Sequence, residues 1–211
     1  MTDAVTFAAV IVAAGQGTRF GKPKHTLTID GVPLWQRCAS TFSEAGVTSV
    51  VVVGDVPGGV PGGERRRDSV LNGVRAVPHA DWVLIHDAAR ALVTPDLVTS
   101  IMNRARSTAS CGVIPGIPVT DTIKRVEGGQ VAETLDRSSL IAVQTPQAFE
   151  RDALVEAHEA DLSLDATDDA ALVEQRFGTV DVVPGHPENI KITFPSDLEQ
   201  ARRIARERGA T

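Results

Sequence analysis

Basic side chains follow a glycine-rich segment near the start of the chain, in an order that suits phosphate binding. The small and apolar residues 7–14 run into the sequence GQGTRFGKPK, which contains Gly15, Gly17, Arg19 and Lys24. Small residues allow backbone N–H groups to approach a ligand closely, and two cations can neutralise the charge of a triphosphate during attack. The segment therefore predicts a triphosphate site at the end of a buried strand.

Two common phosphate-binding motifs do not fit this segment. A Walker A loop has four residues between its first glycine and a Gly-Lys pair, and Ser or Thr follows the pair. Here five residues separate Gly15 from Gly21, and Pro23 occupies the place of the hydroxyl residue. The dinucleotide fingerprint requires a third glycine where Phe20 stands. A P-loop protein and an NAD-dependent oxidoreductase are therefore both disfavoured.

The composition narrows the class of protein. The chain has 211 residues and a net charge of −6, which suits one domain and argues against a nucleic-acid-binding surface. No apolar run approaches the ~20 residues of a membrane span and no signal peptide is visible, so a cytoplasmic protein without membrane contact is expected. Cys38 and Cys111 lie outside any CxxC or Cys/His cluster, which indicates ordinary thiols in place of a zinc site or a disulfide.

Strand-like and helical segments alternate along the chain. Apolar strand-like runs occur at residues 7–14, 50–53, 82–85, 112–114 and 179–183. Apolar residues recur at helical spacing after Pro33 and after Pro95, and a third pattern of this kind ends at Val77. Ser196 with Glu199 forms a potential capping box at the start of a last helix. The alternation predicts an α/β, Rossmann-like single domain over residues 1–211, with a mostly parallel sheet and helices on both faces. Ligands would then bind beyond the carboxyl ends of the strands.

Two segments depart from this alternation. Residues 57–69 form a Gly/Pro-rich loop without expected regular structure, and the basic run at residues 65–67 is interpreted as a solvated face. Residues 121–135 predict a β-hairpin around a Gly-Gly turn. Because a hairpin inserted late in an α/β domain has little to pack on, it is interpreted as an arm that grips a second subunit.

Motifs spread over nearly the whole chain resemble those of one enzyme family. In chain order they are AAGQGTRF with PK, RDSVLNG, VLIHDAAR, PVTDTIK, LDRSSL, QTPQAF, ATDDAALVE and ENIKIT. The first resembles the signature of the sugar-phosphate nucleotidyltransferases, and the ordered set resembles the 2-C-methyl-D-erythritol 4-phosphate cytidylyltransferases. The resemblance implies a reaction of CTP with 2-C-methyl-D-erythritol 4-phosphate, which gives 4-diphosphocytidyl-2-C-methyl-D-erythritol and pyrophosphate in non-mevalonate isoprenoid biosynthesis.

The resemblance also implies roles for individual residues. Catalytic roles in charge neutralisation and positioning are implied for Arg19, Lys24, Arg137 and Lys191. Contacts with the nucleotide are implied for Ala13, Ala14, Gly15, Gly17, Gly63, Glu64, Ser69, Ala88 and Arg90. Contacts with the second substrate are implied for Asp87, Thr122, Thr145 and Thr167.

Some of these residues have a structural alternative. Ser69 and Thr167 could cap helices, and Arg90 could tie down its loop instead of touching CTP. Asp87 could orient substrate hydroxyls or meet a metal ion, and the sequence does not choose between these roles. His86 is interpreted as structural.

The expected partners follow from the same resemblance. Mg²⁺ is expected because a triphosphate is involved, although no metal motif identifies its protein ligands. A homodimer is expected, in which Thr122 and Arg137 beside the arm complete the neighbour's site. A ribitol-5-phosphate cytidylyltransferase is the nearest alternative. A non-catalytic nucleotide-binding subunit is disfavoured because Arg19, Lys24 and Lys191 are all present.

Overall fold

A twisted sheet flanked by helices forms the centre of the molecule. The computed structural model describes residues 5–15, 20, 26–160, 166 and 168–209. Its strands are β1 (Phe7–Val12), β2 (Thr28–Ile29), β3 (Val32–Pro33), β4 (Ser49–Val53), β5 (Trp82–Asp87), β6 (Gly112–Pro118), β7 (Lys124–Glu127), β8 (Gln130–Thr134), β9 (Ile141–Val143), β10 (Gln147–Glu150) and β11 (Asp181–Pro184). Its helices are α1 (Leu34–Glu44), α2 (Arg66–Arg75), α3 (Pro95–Ala105), α4 (Arg151–Ala160), α5 (Asp169–Phe177) and α6 (Pro195–Gly209).

The main sheet is mostly parallel, as the sequence predicts. Its strand order is β4-β1-β5-β10-β6-β11, and β9 pairs with the end of β6. Strand β1 is parallel to β4 and β5, and β11 is parallel to β6. Strand β10 is antiparallel to both of its neighbours, and β9 is antiparallel to β6. The carboxyl ends of β1, β4 and β5 therefore meet at one edge.

Both faces of the sheet are buried, which is why its central strands are continuously apolar. Ala9 and Ile11 of β1 belong to a core formed with α1, α3 and α6. Ala8 and Val10 point to the opposite core, formed with α2, α4 and α5. The predicted α/β domain with helices on both faces is thus confirmed.

Two expectations about helix starts are wrong. Helix α2 begins at Arg66, so the last residues of the expected 57–69 loop are helical, and Asp68 accepts hydrogen bonds from Arg65 in a capping box. At α6, Asp197 lies in the first turn, and its carboxylate accepts from the N–H groups of Thr193 and Phe194 just before the helix. The expected box of Ser196 and Glu199 does not form, because the helix begins at Pro195 and Ser196 lies inside its first turn; Glu199 pairs with Arg202 along the helix surface. Periodicity marked both helices but did not show which oxygen caps them.

The predicted hairpin is present. Strands β7 and β8 pair with each other around Gly128 and Gly129, whose φ values of 56° and 79° belong to the left-handed region that glycine adopts easily. Every residue of the two strands is exposed. The hairpin projects from the ends of β6 and β9, where Pro118 pairs with Ile141.

None of the helices in the described part of the chain is both long and apolar enough to cross a membrane.

Helix α2 lies so close to the sheet that Gly73 leaves no space for a side chain. A Cβ atom at Gly73 would lie 2.3 Å from a methyl group of Val10 and 2.8 Å from one of Val53. Both valines are fully buried, so neither can yield easily.

The Gly73→Ala variant is expected to unfold at a temperature lower by several degrees. Overpacking costs ~1–3 kcal/mol, and the gain in helix propensity of ~1 kcal/mol offsets only part of it. Thermal unfolding followed by circular dichroism measures the change. Gly209→Ala in α6 is the matched control, because a Cβ there meets no described atom within 4 Å. Equal melting temperatures for both variants would contradict the tight packing of α2.

Candidate active site

The carboxyl ends of three neighbouring strands form the floor of the candidate site. Val12 at the end of β1 pairs with Val53 on one side and with Asp87 on the other. The Ala13 N–H donates to the Val53 carbonyl at 2.8 Å, which extends this pairing beyond the strand. On the other side, the Ala88 N–H donates to the Val12 carbonyl at 3.1 Å. The backbone is therefore fixed at the edge where ligands bind in such sheets.

Asp87 is a carboxylate held between two cations. Its Oδ1 accepts from Arg66 Nε at 3.2 Å, and its Oδ2 lies 2.6 Å from Lys191 Nζ. Burial alone would raise the pKa of Asp87, but the attraction of Arg66 and Lys191 outweighs burial and holds the pKa well below its ordinary value of 3.8. Asp87 is therefore ionised near neutral pH.

Arg66 continues this set of charges into the helical layer. Its second donor, Nη1, lies 2.8 Å from Oδ2 of Asp169, which is only 1% exposed. Oδ1 of Asp169 in turn lies 3.1 Å from His158 Nε2. Burial alone would lower the pKa of Arg66, but the two carboxylates outweigh burial and raise it. An alternating chain of charged and polar groups thus runs from Lys191 through Asp87 and Arg66 to the start of α5.

The segment that carries Lys191 is fastened on both sides. The Ile192 N–H donates to the Ala89 carbonyl at 2.8 Å, and Arg90 Nη1 donates to the Asn189 carbonyl at 2.7 Å. The Asn189 amide also donates to the Thr145 carbonyl at 2.9 Å. Because an ammonium group has three donors and the contact with Asp87 uses one, Lys191 can still donate toward a ligand, and its side chain is 43% exposed.

The Gly-rich loop after β4 packs against β1 and α2. A Cβ atom at Gly62 would lie 2.6 Å from Cβ of Ala14, and one at Gly63 would lie 2.4 Å from Cβ of Asp68. Larger residues would push the loop away from both neighbours. The Gly63 N–H donates to Ser69 Oγ at 2.9 Å, and that hydroxyl donates to the Arg65 carbonyl at 3.2 Å.

Thr145 and His86 support Asp87 from the core. The Asp87 N–H donates to Thr145 Oγ1 at 3.1 Å, and the same hydroxyl lies 3.0 Å from His86 Nδ1. His86 Nε2 lies 3.3 Å from the Arg90 carbonyl, which can only accept, so Nε2 carries the proton and Nδ1 accepts from Thr145. Burial lowers the pKa of His86 to about 4, and the ring is neutral near pH 7. The structural interpretation of His86 agrees with this placement.

The sequence and fold of the chain are similar to those of one enzyme family. The family model described as 2-C-methyl-D-erythritol 4-phosphate cytidylyltransferase (IspD) matches residues 7–207. The enzyme of that name from Streptomyces avermitilis is 40% identical over 95% of this chain and 92% of its own length. The one from Rubrobacter xylanophilus is 41% identical over 95% and 96%. The crystal structure of the one from Thermus thermophilus has a TM-score of 0.79 and 31% identity over 93% of this chain and 98% of that chain.

The chain belongs to the 2-C-methyl-D-erythritol 4-phosphate cytidylyltransferase family. It is therefore a nucleotidyltransferase of α/β fold, as the motifs predict.

The structure brings several residues predicted from the family resemblance together at the carboxyl edge. They are Ala13, Ala14, Gly15, Gly63, Ser69, Asp87, Ala88, Thr145 and Lys191. Glu64 is exposed and follows Gly63 on the same loop. Their contacts with substrates stay predictions.

Four predicted residues of this cytidylyltransferase family lie outside the described part of the chain. They are Gly17, Arg19, Lys24 and Thr167. Asp168, next to Thr167, is the N-cap of α5, because its carboxylate accepts from the Ala171 N–H at 3.1 Å.

The contacts bear on two of the structural alternatives, those of Arg90 and Ser69. Arg90 ties loops together, because it donates to the carbonyls of Asn189 and Val143. Ser69 lies inside α2 and holds Gly63, so it is not the cap of that helix. Arg137 is exposed at the base of the arm, where it donates to the Thr120 carbonyl. Thr122 is exposed on the same segment.

The expectation that residues 65–67 form a solvated basic face is wrong. Arg66 joins Asp87 to Asp169, and Arg67 is 5% exposed and donates to the His158 carbonyl at 2.6 Å. The sequence spacing does point to this arrangement. Arg66 precedes Val70 and Val74 by four and eight residues, which places it on the buried stripe of α2. Asp169 was missed in the same way and stands three residues before buried Leu172.

Protonation of His86 predicts a pH-dependent stability of this family member. The unfolded chain takes up a proton near pH 6.5, whereas folded His86 does so only near pH 4. The folded state therefore binds fewer protons between these values, and its unfolding free energy falls as the pH is lowered through this window. The contribution of His86 to the slope is at most about 1.4 kcal/mol per pH unit.

Urea unfolding at several pH values in that window measures the slope. His86→Gln is the control, because the amide can still donate and accept but does not titrate. A flatter slope for His86→Gln is expected. The same slope in both proteins would mean that another group titrates instead.

Proposed function

We propose that this chain transfers the cytidylyl group of CTP to 2-C-methyl-D-erythritol 4-phosphate and releases pyrophosphate. The phosphate of the acceptor attacks the α-phosphorus of CTP, a new P–O–P linkage forms, and the bond to the pyrophosphate breaks. The observation that carries the proposal is the set of family motifs assembled around Asp87 and Lys191 at one edge of the sheet. Membership of the family supports this acceptor over ribitol 5-phosphate.

The reaction needs no general base on the protein. A phosphate monoester has a second pKa of about 6 and already carries its attacking charge at neutral pH. The titratable groups agree with this, because His86 is buried and neutral and Asp87 is held ionised between two cations. Catalysis then rests on positioning and on neutralisation of phosphate charge.

We assign the triphosphate to the space above the strand ends. The backbone from Ala13 to Gly15 lies on one side of this space, and Lys191 enters from the other side with donors to spare. Arg19 and Lys24 supply further positive charge in this proposal. Loss of one such donor typically slows turnover on the order of 10²-fold.

The base and ribose of CTP are assigned to the glycine-rich loop and its surroundings. Cytosine differs from uracil by an exocyclic amine, which a backbone carbonyl can accept. Gly62 and Gly63 keep backbone accessible in this loop, since side chains there would collide with Ala14 and Asp68. Ala88 leaves space for the ribose on the β5 side.

Mg²⁺ fits this site as an ion carried mainly by the triphosphate. The described residues contain no group of three or more His, Cys, Asp or Glu that could form a metal cage. They do place one carboxylate, Asp87, at the strand ends, and Mg²⁺ commonly binds one or two carboxylates together with substrate phosphates. Asp87 would hold the ion directly or through water, and the ion would neutralise phosphate charge.

The acceptor is assigned to the side of Asp87 away from the glycine-rich loop. Thr145 is fixed there beneath Asp87, although its hydroxyl already accepts from the Asp87 N–H. Thr167 precedes the N-terminus of α5, where N–H groups favour anions. Thr122 and Arg137 lie at the base of the arm and would reach the acceptor of a second subunit.

We further propose a homodimer joined through the arm, and a cytoplasmic location. Val126 and Val131 are cross-strand partners in the hairpin and are 58% and 62% exposed, and Ile141 at its base is 39% exposed. Such apolar surface on a two-stranded hairpin favours burial against another protein surface. The free thiols of Cys38 and Cys111 suit a reducing compartment.

Pyrophosphate release measured with CTP and Mg²⁺ tests the proposed reaction. Release with 2-C-methyl-D-erythritol 4-phosphate and none with ribitol 5-phosphate is expected. UTP in place of CTP is the control for base recognition. Release with ribitol 5-phosphate alone would show that the acceptor is wrong, and binding of CTP without release with either acceptor would show that neither is the substrate.

Mixed dimers test whether the arm completes the neighbour's site. Lys24→Ala and Arg137→Ala proteins, each nearly inactive, are mixed after reversible dissociation. If Arg137 acts across the interface, about a quarter of wild-type activity returns, because half of the randomly mixed dimers carry one complete site. A mixture of Lys24→Ala with Lys191→Ala should stay inactive, since both residues serve the same subunit's site. No recovery in the first mixture, with dimers confirmed by light scattering, would place Arg137 in its own subunit's site.

A further inference from the structure

Arg66 forms a bridge between Asp87 and Asp169. Its Nε binds Asp87 at 3.2 Å and its Nη1 binds Asp169 at 2.8 Å. The guanidinium is planar and carries its donors in fixed directions, so the two contacts fix the two carboxylates relative to each other. A lysine could not do this with the same geometry.

Arg66 shares the charge of Asp87 with Lys191. Without Arg66, Lys191 would be the one ion-pair partner left to Asp87 in the described part of the chain. The attraction between Asp87 and Lys191 would then hold the ammonium group of Lys191 more firmly. Lys191 is the more exposed of the two cations, with 43% of its side chain accessible against 31% for Arg66. Arg66 therefore leaves Lys191 available to an anionic ligand.

Arg66 also connects two parts of the site that lie on different elements. Asp87 ends β5, whereas Asp169 opens α5 beside its cap, Asp168. Asp168 is itself held by Gln147 Nε2 at 3.0 Å. Loss of Arg66 would thus remove the direct link between the end of β5 and the start of α5.

We infer that Arg66 is a positioning residue of the transfer reaction, which keeps Lys191 free for the triphosphate and sets Asp87 against the start of α5. The inference rests on the proposed function, since it concerns the groups that would meet CTP and the acceptor. It predicts that loss of Arg66 lowers kcat and that this loss depends on the presence of Lys191.

The test uses a variant that preserves the buried charge balance. Arg66→Ala alone would leave Asp169 without its cation in the core, and the protein could fail to fold. The double variant R66Q/D169N removes both charges together and keeps side chains of similar size that can hydrogen-bond. It is expected to fold, with kcat lower by about 10-fold to 100-fold and a KM for CTP raised by about threefold to fivefold, so that kcat changes more than KM.

Combination with Lys191→Ala distinguishes positioning from a structural role. If Arg66 acts through Lys191, adding R66Q/D169N to Lys191→Ala should lower kcat by no more than about twofold further, because coupled residues are non-additive. If the folded combined variant loses kcat by the product of the two separate fold-reductions, Arg66 does not act through Lys191. Wild-type kcat in the folded double variant would overturn the inference as a whole.

Two further proteins complete the experiment. Arg75→Gln is the matched control on the same helix, since Arg75 pairs with Glu159 at 2.8 Å but both side chains are more than half exposed, at 57% and 51%. It should keep kcat within about twofold of wild type. If R66Q/D169N does not fold, Arg66→Lys tests the inference instead. This variant retains the positive charge but loses the planar guanidinium that contacts both carboxylates. Folded Arg66→Lys at wild-type kcat would overturn the inference, and a several-fold lower kcat would support it.

Wild-type protein in the same assay separates this inference from the proposed function. Pyrophosphate release by the wild type with CTP and 2-C-methyl-D-erythritol 4-phosphate upholds the reaction whatever the variants do. If the wild type releases none, the proposed function fails. CTP binding measured by calorimetry then tests whether Arg66 keeps Lys191 available to the triphosphate. The inference predicts that R66Q/D169N binds CTP at least threefold more weakly than wild type does. Equal affinity of the two proteins for CTP would overturn it.

Discussion

The charge balance at Asp87 is the interaction on which the organisation of the site depends. A carboxylate at the end of a central strand would be costly to bury alone, and here Arg66 and Lys191 offset that cost from two directions. These cations come from residues far apart in the chain, one at the start of α2 and one shortly before α6. Folding is thus needed to bring them together, and the site forms only where strand, helix and C-terminal segment meet.

The same balance explains how an acidic protein can bind a polyanion. The whole chain carries a net charge of −6, so its overall field does not attract a triphosphate. Attraction has to come from short-range donors, and in the proposed site these are backbone N–H groups at the strand ends and the ammonium group of Lys191. Because Asp87 already neutralises part of that positive charge, these groups together are not strongly cationic. In the proposed site an incoming phosphate competes with the carboxylate for Lys191, while Arg66 still stabilises Asp87.

The sheet and the hairpin could be predicted from the sequence because each depends on a local pattern. Continuous apolar runs indicated strands buried on both faces, and Gly128 and Gly129 indicated the hairpin turn. The role of Arg66 was missed because three consecutive arginines look like a solvated surface. Only the helical phase of α2 shows that Arg66 shares a face with Val70 and Val74, and that phase depends on where the helix starts. The composition of a segment did not reveal this phase.

The placement of Thr145 was equally inaccessible to local patterns. In a purely parallel sheet, a residue that precedes a strand lies at the edge opposite the ligand site. Strand β10 is antiparallel, and Gln147 at its start pairs with Ile85 near the carboxyl end of β5. The residues just before β10 therefore lie at the active edge, where Thr145 accepts from the Asp87 N–H. One reversed strand thus brings the QTPQAF motif to the same edge as the VLIHDAAR motif, and it gives the fold a second way to reach Asp87 besides the loops after parallel strands.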